Sequence, residues 1–186
     1  MQAVQVFSGA TARRLTRREY ERMAELGFFH GERVELIHGI VVRMVPIGPP
    51  HSEVVDRLNA ILVRALGDRA RVRIQQPFLA ADDSEPEPDV AVVEARSYAT
   101  AHPDRAELII EVSESSLAYD RETKRALYAA SNVREYWVVD VSGRCVEVFD
   151  EPHEGRFCRQ RRATLDDVLT PTAFPDVTVR VSDLLA

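Results

Sequence analysis

Asp89, Glu111, Asp120 and Lys124 are the residues whose types and surroundings suit acid–base or metal chemistry. Pro88-Asp89 opens an apolar run, Val90–Val93. Glu111 interrupts a second run, Leu108–Val112. By period-two alternation, its neighbours Ile110 and Val112 face away from it. An ionised carboxylate in such a run is costly unless it is paired or holds a metal. Asp120, Lys124 and Tyr128 follow at intervals of four, which puts them on one helix face. Two carboxylates at adjacent strand ends make an oxygen site for a hard divalent cation. Mg²⁺ takes one or two protein carboxylates and leaves its other positions to water and phosphate. A nearby Lys can orient or deprotonate the attacking water, or offset charge building on a phosphate. Arg is a poor substitute for the first job, because its proton does not come off. Lys124 is the sole Lys among 24 basic residues. GC-rich codon usage accounts for the general excess of Arg, and this one position escapes it.

The elements that must position these groups follow from pattern. Thr16 and Glu19 form a capping box ahead of a helix that ends at Gly27. Arg33–Met44 reads as strand, or as two strands joined at His38-Gly39. The apolar spacing of Val54, Val55, Leu58, Ile61, Leu62 and Ala65 predicts a helix from His51 to Leu66. Arg71–Ile74 and Phe78–Ala80 read as short strands, and Val90–Val93 and Leu108–Val112 as buried ones. Asp120–Ser131 reads as helix and Glu135–Val141 as strand. Val146–Phe149 and Phe157–Arg161 form a hairpin, and Val177–Val181 a last short strand. Together they predict a mixed β-sheet with helices against it, an α/β or α+β domain.

Composition narrows the class. A chain of 186 residues suits one domain. A flexible segment over 1–12 and a single domain over 13–186 are expected. No apolar run approaches the ~18 residues of a membrane span. No secretory signal is visible, and Cys145 and Cys158 do not suggest a disulfide framework. A reduced, cytoplasmic protein is therefore expected. The net charge of −6 excludes a protein that coats nucleic acid by bulk charge. It leaves room for an enzyme that meets nucleic acid through a metal.

The ordered motifs Val34-Glu-Leu-Ile-His-Gly39, His51 at a helix start, Gln75-Gln-Pro77, Pro88-Asp89, Ile110-Glu-Val-Ser113, Asp120-x-x-x-Lys124-x-x-x-Tyr128 and Val133-Arg-Glu-Tyr-Trp-Val-Val-Asp140 carry a resemblance. From about Leu15 onward the sequence resembles the PD-(D/E)xK nuclease superfamily, and more closely its Uma-two family of restriction-endonuclease-like bacterial proteins. The resemblance implies an α/β restriction-endonuclease-like core, a mixed β-sheet flanked by helices. It implies Asp89 and Glu111 as metal ligands and Lys124 as the catalytic Lys. Mg²⁺ would be the cofactor, with Mn²⁺ as a substitute, and DNA the substrate. Glu35 matches the family's early glutamate, and His51, Gln75 and Asp120 are supporting candidates. The superfamily's usual Lys position, two residues after the second carboxylate, is Ser113. The chemistry then requires the next helix to bring Lys124 back to the carboxylates. Cutting two strands with one site per chain favours a symmetric homodimer.

Plainer readings stand beside these. Asp89 suits a strand entry after a Pro turn. Glu111 could pair with an Arg on a neighbouring strand. Asp120 and Lys124 could form a surface pair worth about 0.3–0.5 kcal/mol. His51 suits a helix start, Gln75 a sheet edge, and Tyr136 and Trp137 the core. The arginines at 13, 14, 17 and 18 suit a solvated face. Two rivals to a nuclease remain at this level. One is a non-catalytic interaction domain that retains the fold, for which Asp89→Ala would keep full stability. The other is a glycosidase-like hydrolase using Asp89 and Glu111 as an acid/base pair, with no use for Lys124.

Overall fold

Thr16 caps α1 (Arg17–Glu25): its hydroxyl accepts from the Glu19 N–H, and the Glu19 carboxylate accepts from the Thr16 N–H. A computed structural model of the chain describes residues 12–185. The expected flexible segment lies, up to residue 11, outside the described residues. Two units are distinguished, one running to Met44 and adding Ala81–Glu85, the other comprising Val45–Ala80 and the chain from Pro86 onward. In the first unit, β1 (Val34–Ile37) and β2 (Ile40–Arg43) pair antiparallel. His38 and Gly39 both have positive φ, 49° and 75°, as a two-residue hairpin turn requires. Tyr20 of α1 donates its hydroxyl to the Val34 carbonyl and packs with Leu36.

The second unit begins with α2 (Pro49–Leu66), two residues earlier than its apolar spacing predicts, because Pro fits the first helical turn. Strands β3 (Ala70–Ile74), β4 (Val90–Glu94), β5 (Arg105–Ala106) and β6 (Leu108–Ser113) follow. One continuous helical stretch comes next: α3 (Leu117–Tyr119), a π-turn at Asp120–Lys124, and α4 (Arg125–Ala130). Then come β7 (Asn132–Val133), β8 (Glu135–Asp140), β9 (Cys145–His153), β10 (Arg156–Ala163), β11 (Val168–Leu169), β12 (Val179–Arg180) and α5 (Val181–Leu185). Six strands form one mixed sheet in the order β10-β9-β8-β6-β4-β3. Within it β6 and β8 are parallel and the other neighbours antiparallel.

Alternation along β6 decides what each face does. Leu108, Ile110 and Val112 join Val54, Leu58 and Leu62 of α2, with Leu184 of α5, in one apolar core. Ile109 faces the opposite side, where it clusters with Ala91, Tyr128, Tyr136 and Phe149. Glu111 therefore lies on the face that the 117–130 helical stretch covers. Trp137 belongs to the first core and Tyr136 to the second, so both aromatics pack.

One expected strand is absent and another is shorter than expected. Phe78–Ala80 is irregular: the Phe78 N–H bonds the Pro86 carbonyl, and Pro86 and Pro88 offer no N–H for a ladder. At the C-terminus only Val179–Arg180 is strand. Val181, Leu184 and Leu185 share a helical face and are buried as α5. Among the described residues no helix is long and apolar enough to cross a membrane. Cys145 is buried, Cys158 exposed, and both are free thiols.

Candidate active site

Asp89 precedes β4 and is buried. Its Oδ2 accepts from the Val112 N–H at 2.9 Å and from His51 Nε2 at 3.0 Å. An ionised carboxylate only accepts, so Nε2 of His51 carries the proton. Oδ1 of Asp89 accepts from Gln75 Nε2 at 3.2 Å. Burial pushes the Asp89 pKa up, but the His51 bond and charge, the Val112 N–H and the Gln75 amide outweigh it. The carboxyl is held below its ordinary value, hence ionised at neutral pH. Gln75 reaches it because its backbone leaves β3 at φ 47° and its N–H turns back to the carbonyls of Pro88 and Asp89.

Glu111 lies one strand over, opposite Val138 of β8. Its Oε1 accepts from Lys124 Nζ at 3.0 Å and from the Tyr128 hydroxyl at 2.8 Å. Its Oε2 accepts from the Asp89 backbone N–H at 3.3 Å, which ties the Glu111 side chain to the Asp89 main chain. The Lys124 and Glu111 side chains are only 6% and 4% exposed, so the pair is not a surface pair. Burying two charges is repaid only by close pairing and by filled lone pairs; here the Tyr128 hydroxyl supplies the additional bond.

Asp120, also on this helical stretch, does not join the carboxylates. Its Oδ2 accepts from the hydroxyls of Ser113 and Ser116 at 2.7 and 2.5 Å. Burial raises its pKa; the Lys124 charge and the two serine bonds oppose this, and the Asp89 charge adds to it. Ser113 thus anchors the start of the segment that carries Lys124. The π-turn spans Asp120 to Lys124 and buries both ends. Such turns recur where a helix must aim a particular side chain.

The structure brings together Asp89, Glu111, Lys124, His51 and Gln75, with Asp120 beside Lys124. Glu35 lies in the other unit, on β1 opposite Val42, and is buried. Tyr128 was visible from its spacing after Lys124, but its bond to Glu111 was not. Ser116 carried no signal at all, because only the helical turn brings it to Asp120. Replacing Tyr128 with Phe keeps the ring in its aromatic cluster and removes one donor from a buried carboxylate. The expected loss is about 1.5–3 kcal/mol of unfolding free energy by urea denaturation.

The donor set can be compared with what a cation needs. Asp89 and Glu111 are hard oxygen donors, adjacent and buried, and they are two. Among the described residues no group of three or more His, Cys, Asp or Glu forms a metal cage. Two carboxylates fit Mg²⁺, which keeps water and phosphate for its remaining positions. They do not make a structural zinc or calcium site.

The mixed sheet covered on both faces by helices defines a nuclease-like α/β fold. It is shared with a crystal structure titled a putative nuclease belonging to DUF820 from Anabaena variabilis, with TM-score 0.75 and 16% identity, covering 92% of this chain and 97% of that one. The chain itself belongs to the Uma2 family, described as "Putative restriction endonuclease", whose model matches residues 17–182. This is the Uma-two family that the ordered motifs resemble. No curated protein matches the chain.

Proposed function

We propose that the protein is a Mg²⁺-dependent endonuclease that hydrolyses phosphodiester bonds in DNA. The observation that supports this best is the bond from Lys124 to Glu111, which is itself tied to Asp89. It is the arrangement a Lys moved from strand to helix must reach. Asp89 and Glu111 would hold the cation, which supplies Lewis-acid stabilisation to a phosphate under attack. Lys124 positions the attacking water and offsets the charge that builds on the phosphoryl oxygens. His51, Gln75 and the Val112 N–H fix the Asp89 carboxylate in rotation and keep it ionised. Tyr128 fixes the Glu111 carboxylate in rotation, and the Ser113–Asp120–Ser116 set holds the start of the Lys-bearing turn. Low exposure of these groups strengthens each interaction relative to water.

The net charge of −6 suits this reading, because positive charge is needed at the site and not over the whole surface. A glycosidase-like reading leaves Lys124 without a purpose, whereas the chain buries it on Glu111. Double-strand cleavage with one site per chain calls for a symmetric homodimer, in keeping with a cytoplasmic DNA-processing role. Supercoiled plasmid incubated with the protein and Mg²⁺ should become nicked or linear, and EDTA should stop the conversion. No conversion with Mg²⁺ or Mn²⁺, on plasmid or on single-stranded DNA, would favour a non-catalytic interaction domain.

A further inference from the structure

Arg73 is a buried cation with no carboxylate in ion-pair contact among the described residues. It sits on β3 and is 8% exposed. A guanidinium has five N–H donors. This one makes a single side-chain hydrogen bond, from Nη2 to Nδ1 of His102 at 3.2 Å. Its Nε is buried with no partner. The ring of Tyr98 lies 5.3 Å from the guanidinium carbon. Burial lowers its pKa, Tyr98 opposes this in part, and Arg71 adds a like charge. Buried charges are ordinarily paired, and an unsatisfied one points to a missing ion or water.

Its position gives that ion a context. Arg73 is directly opposite Ala91, two residues along β4 from Asp89. Cross-strand partners share a face, and Ala91 belongs to the core on the Glu111 side of the sheet. Gln75, two residues further along the Arg73 chain, already touches Asp89. At the backbone, Arg73 thus lies two residues, about 7 Å, along the strand from the register of Asp89. That distance corresponds to roughly two nucleotides of axial rise. The groups touching it, Tyr98 and His102, belong to an irregular segment and are half-buried and exposed, respectively.

From this buried guanidinium on the Glu111 face of the sheet, its Nε left without a partner, we infer that Arg73, with His102 and Tyr98, takes a backbone phosphate of the DNA strand about two nucleotides from the phosphate being cut. The inference rests on the nuclease reading and adds a substrate contact to it. Arg suits the role because its planar fork matches phosphate oxygens in pairs. In the free protein the group gives up stability to wait for its anion.

The test compares wild type, Arg73→Met and Arg73→Lys. Affinity for a short fluorescein-labelled duplex is measured by anisotropy in EDTA across a range of NaCl, and thermal midpoints are measured without DNA. Arg73→Met should bind about tenfold more weakly, with the slope of log K against log salt shallower by about 0.9. Its thermal midpoint should equal or exceed that of wild type, since an unpaired buried cation is removed. Arg73→Lys should retain most of the slope. An unchanged slope and affinity in Arg73→Met would overturn the inference, as would a lowered midpoint, which marks a structural Arg. If inorganic phosphate raises the wild-type midpoint through Arg73 while the DNA slope is unchanged, the site takes free phosphate, and the DNA assignment is overturned. If wild type nicks plasmid while Arg73→Met binds DNA normally, this inference alone fails. If wild type neither binds nor nicks DNA, the nuclease reading fails with it.

Discussion

Lys124→Met should slow DNA cleavage by about 10³-fold in a single-turnover assay with saturating Mg²⁺. General acid–base groups contribute about 10²–10⁴-fold, and charge stabilisation about 10²–10³-fold, so loss of a residue serving both ends falls in that range. The substitution has a second consequence that follows from burial. Lys124 is the cation on Glu111, and removing one partner of a buried pair costs about 3–5 kcal/mol. The variant should therefore unfold earlier in urea. Mg²⁺ should restore part of that loss, because a ligand that binds only the folded chain stabilises it. Lys124→Arg separates the two jobs. It keeps a positive charge but cannot release a proton. If charge is what matters, Arg retains measurable cleavage; if Lys124 deprotonates the water, Arg is as inactive as Met. Cleavage by Lys124→Met at the wild-type rate would remove Lys124 from the mechanism.

Asp89→Ala should abolish cleavage and weaken Mg²⁺ binding by at least about a hundredfold in calorimetry. Losing a group that merely orients a metal ligand costs about 10–100-fold, and Asp89 would itself be one of two ligands. Stability falls as well. Asp89 accepts from His51, the Val112 N–H and Gln75, and each buried donor left unmade costs about 1–3 kcal/mol. The expectation that a non-catalytic domain would tolerate Asp89→Ala without loss of stability does not hold for this geometry. Stability therefore does not separate the two readings, whereas metal affinity and cleavage do. Unchanged Mg²⁺ affinity in Asp89→Ala would place the cation elsewhere.

Much of the site was legible because its logic is local. Glu111 stands out among Leu108, Ile109, Ile110 and Val112, and strand alternation alone turns it to the face opposite Ile110. Lys124 stands out by type, and its spacing from Asp120 and Tyr128 announces a shared helix face. What was not legible depends on contacts made over distance. The π-turn at Asp120–Lys124 has no propensity signature; it accompanies Ser113 and Ser116 bonding Asp120 while Lys124 and Tyr128 both reach one oxygen of Glu111. Gln75 looked like a sheet-edge residue, and only its left-handed backbone brings its amide to Asp89. Arg73 gave no signal, since 22 other arginines surround it in the count and its missing partner shows only in the fold. Among the elements, the C-terminal strand expected over Val177–Val181 is confined to Val179–Arg180, because Val181 already belongs to the helical face of Leu184 and Leu185.

The central claim is that Asp89 and Glu111 together hold the catalytic cation. Anomalous diffraction from crystals soaked in Mn²⁺ tests it most directly. The account predicts one strong peak about 2.0–2.2 Å from an oxygen of each carboxylate, absent from Asp89→Ala crystals treated alike. A peak bound by other residues, or none at a Mn²⁺ concentration that supports cleavage, would contradict it.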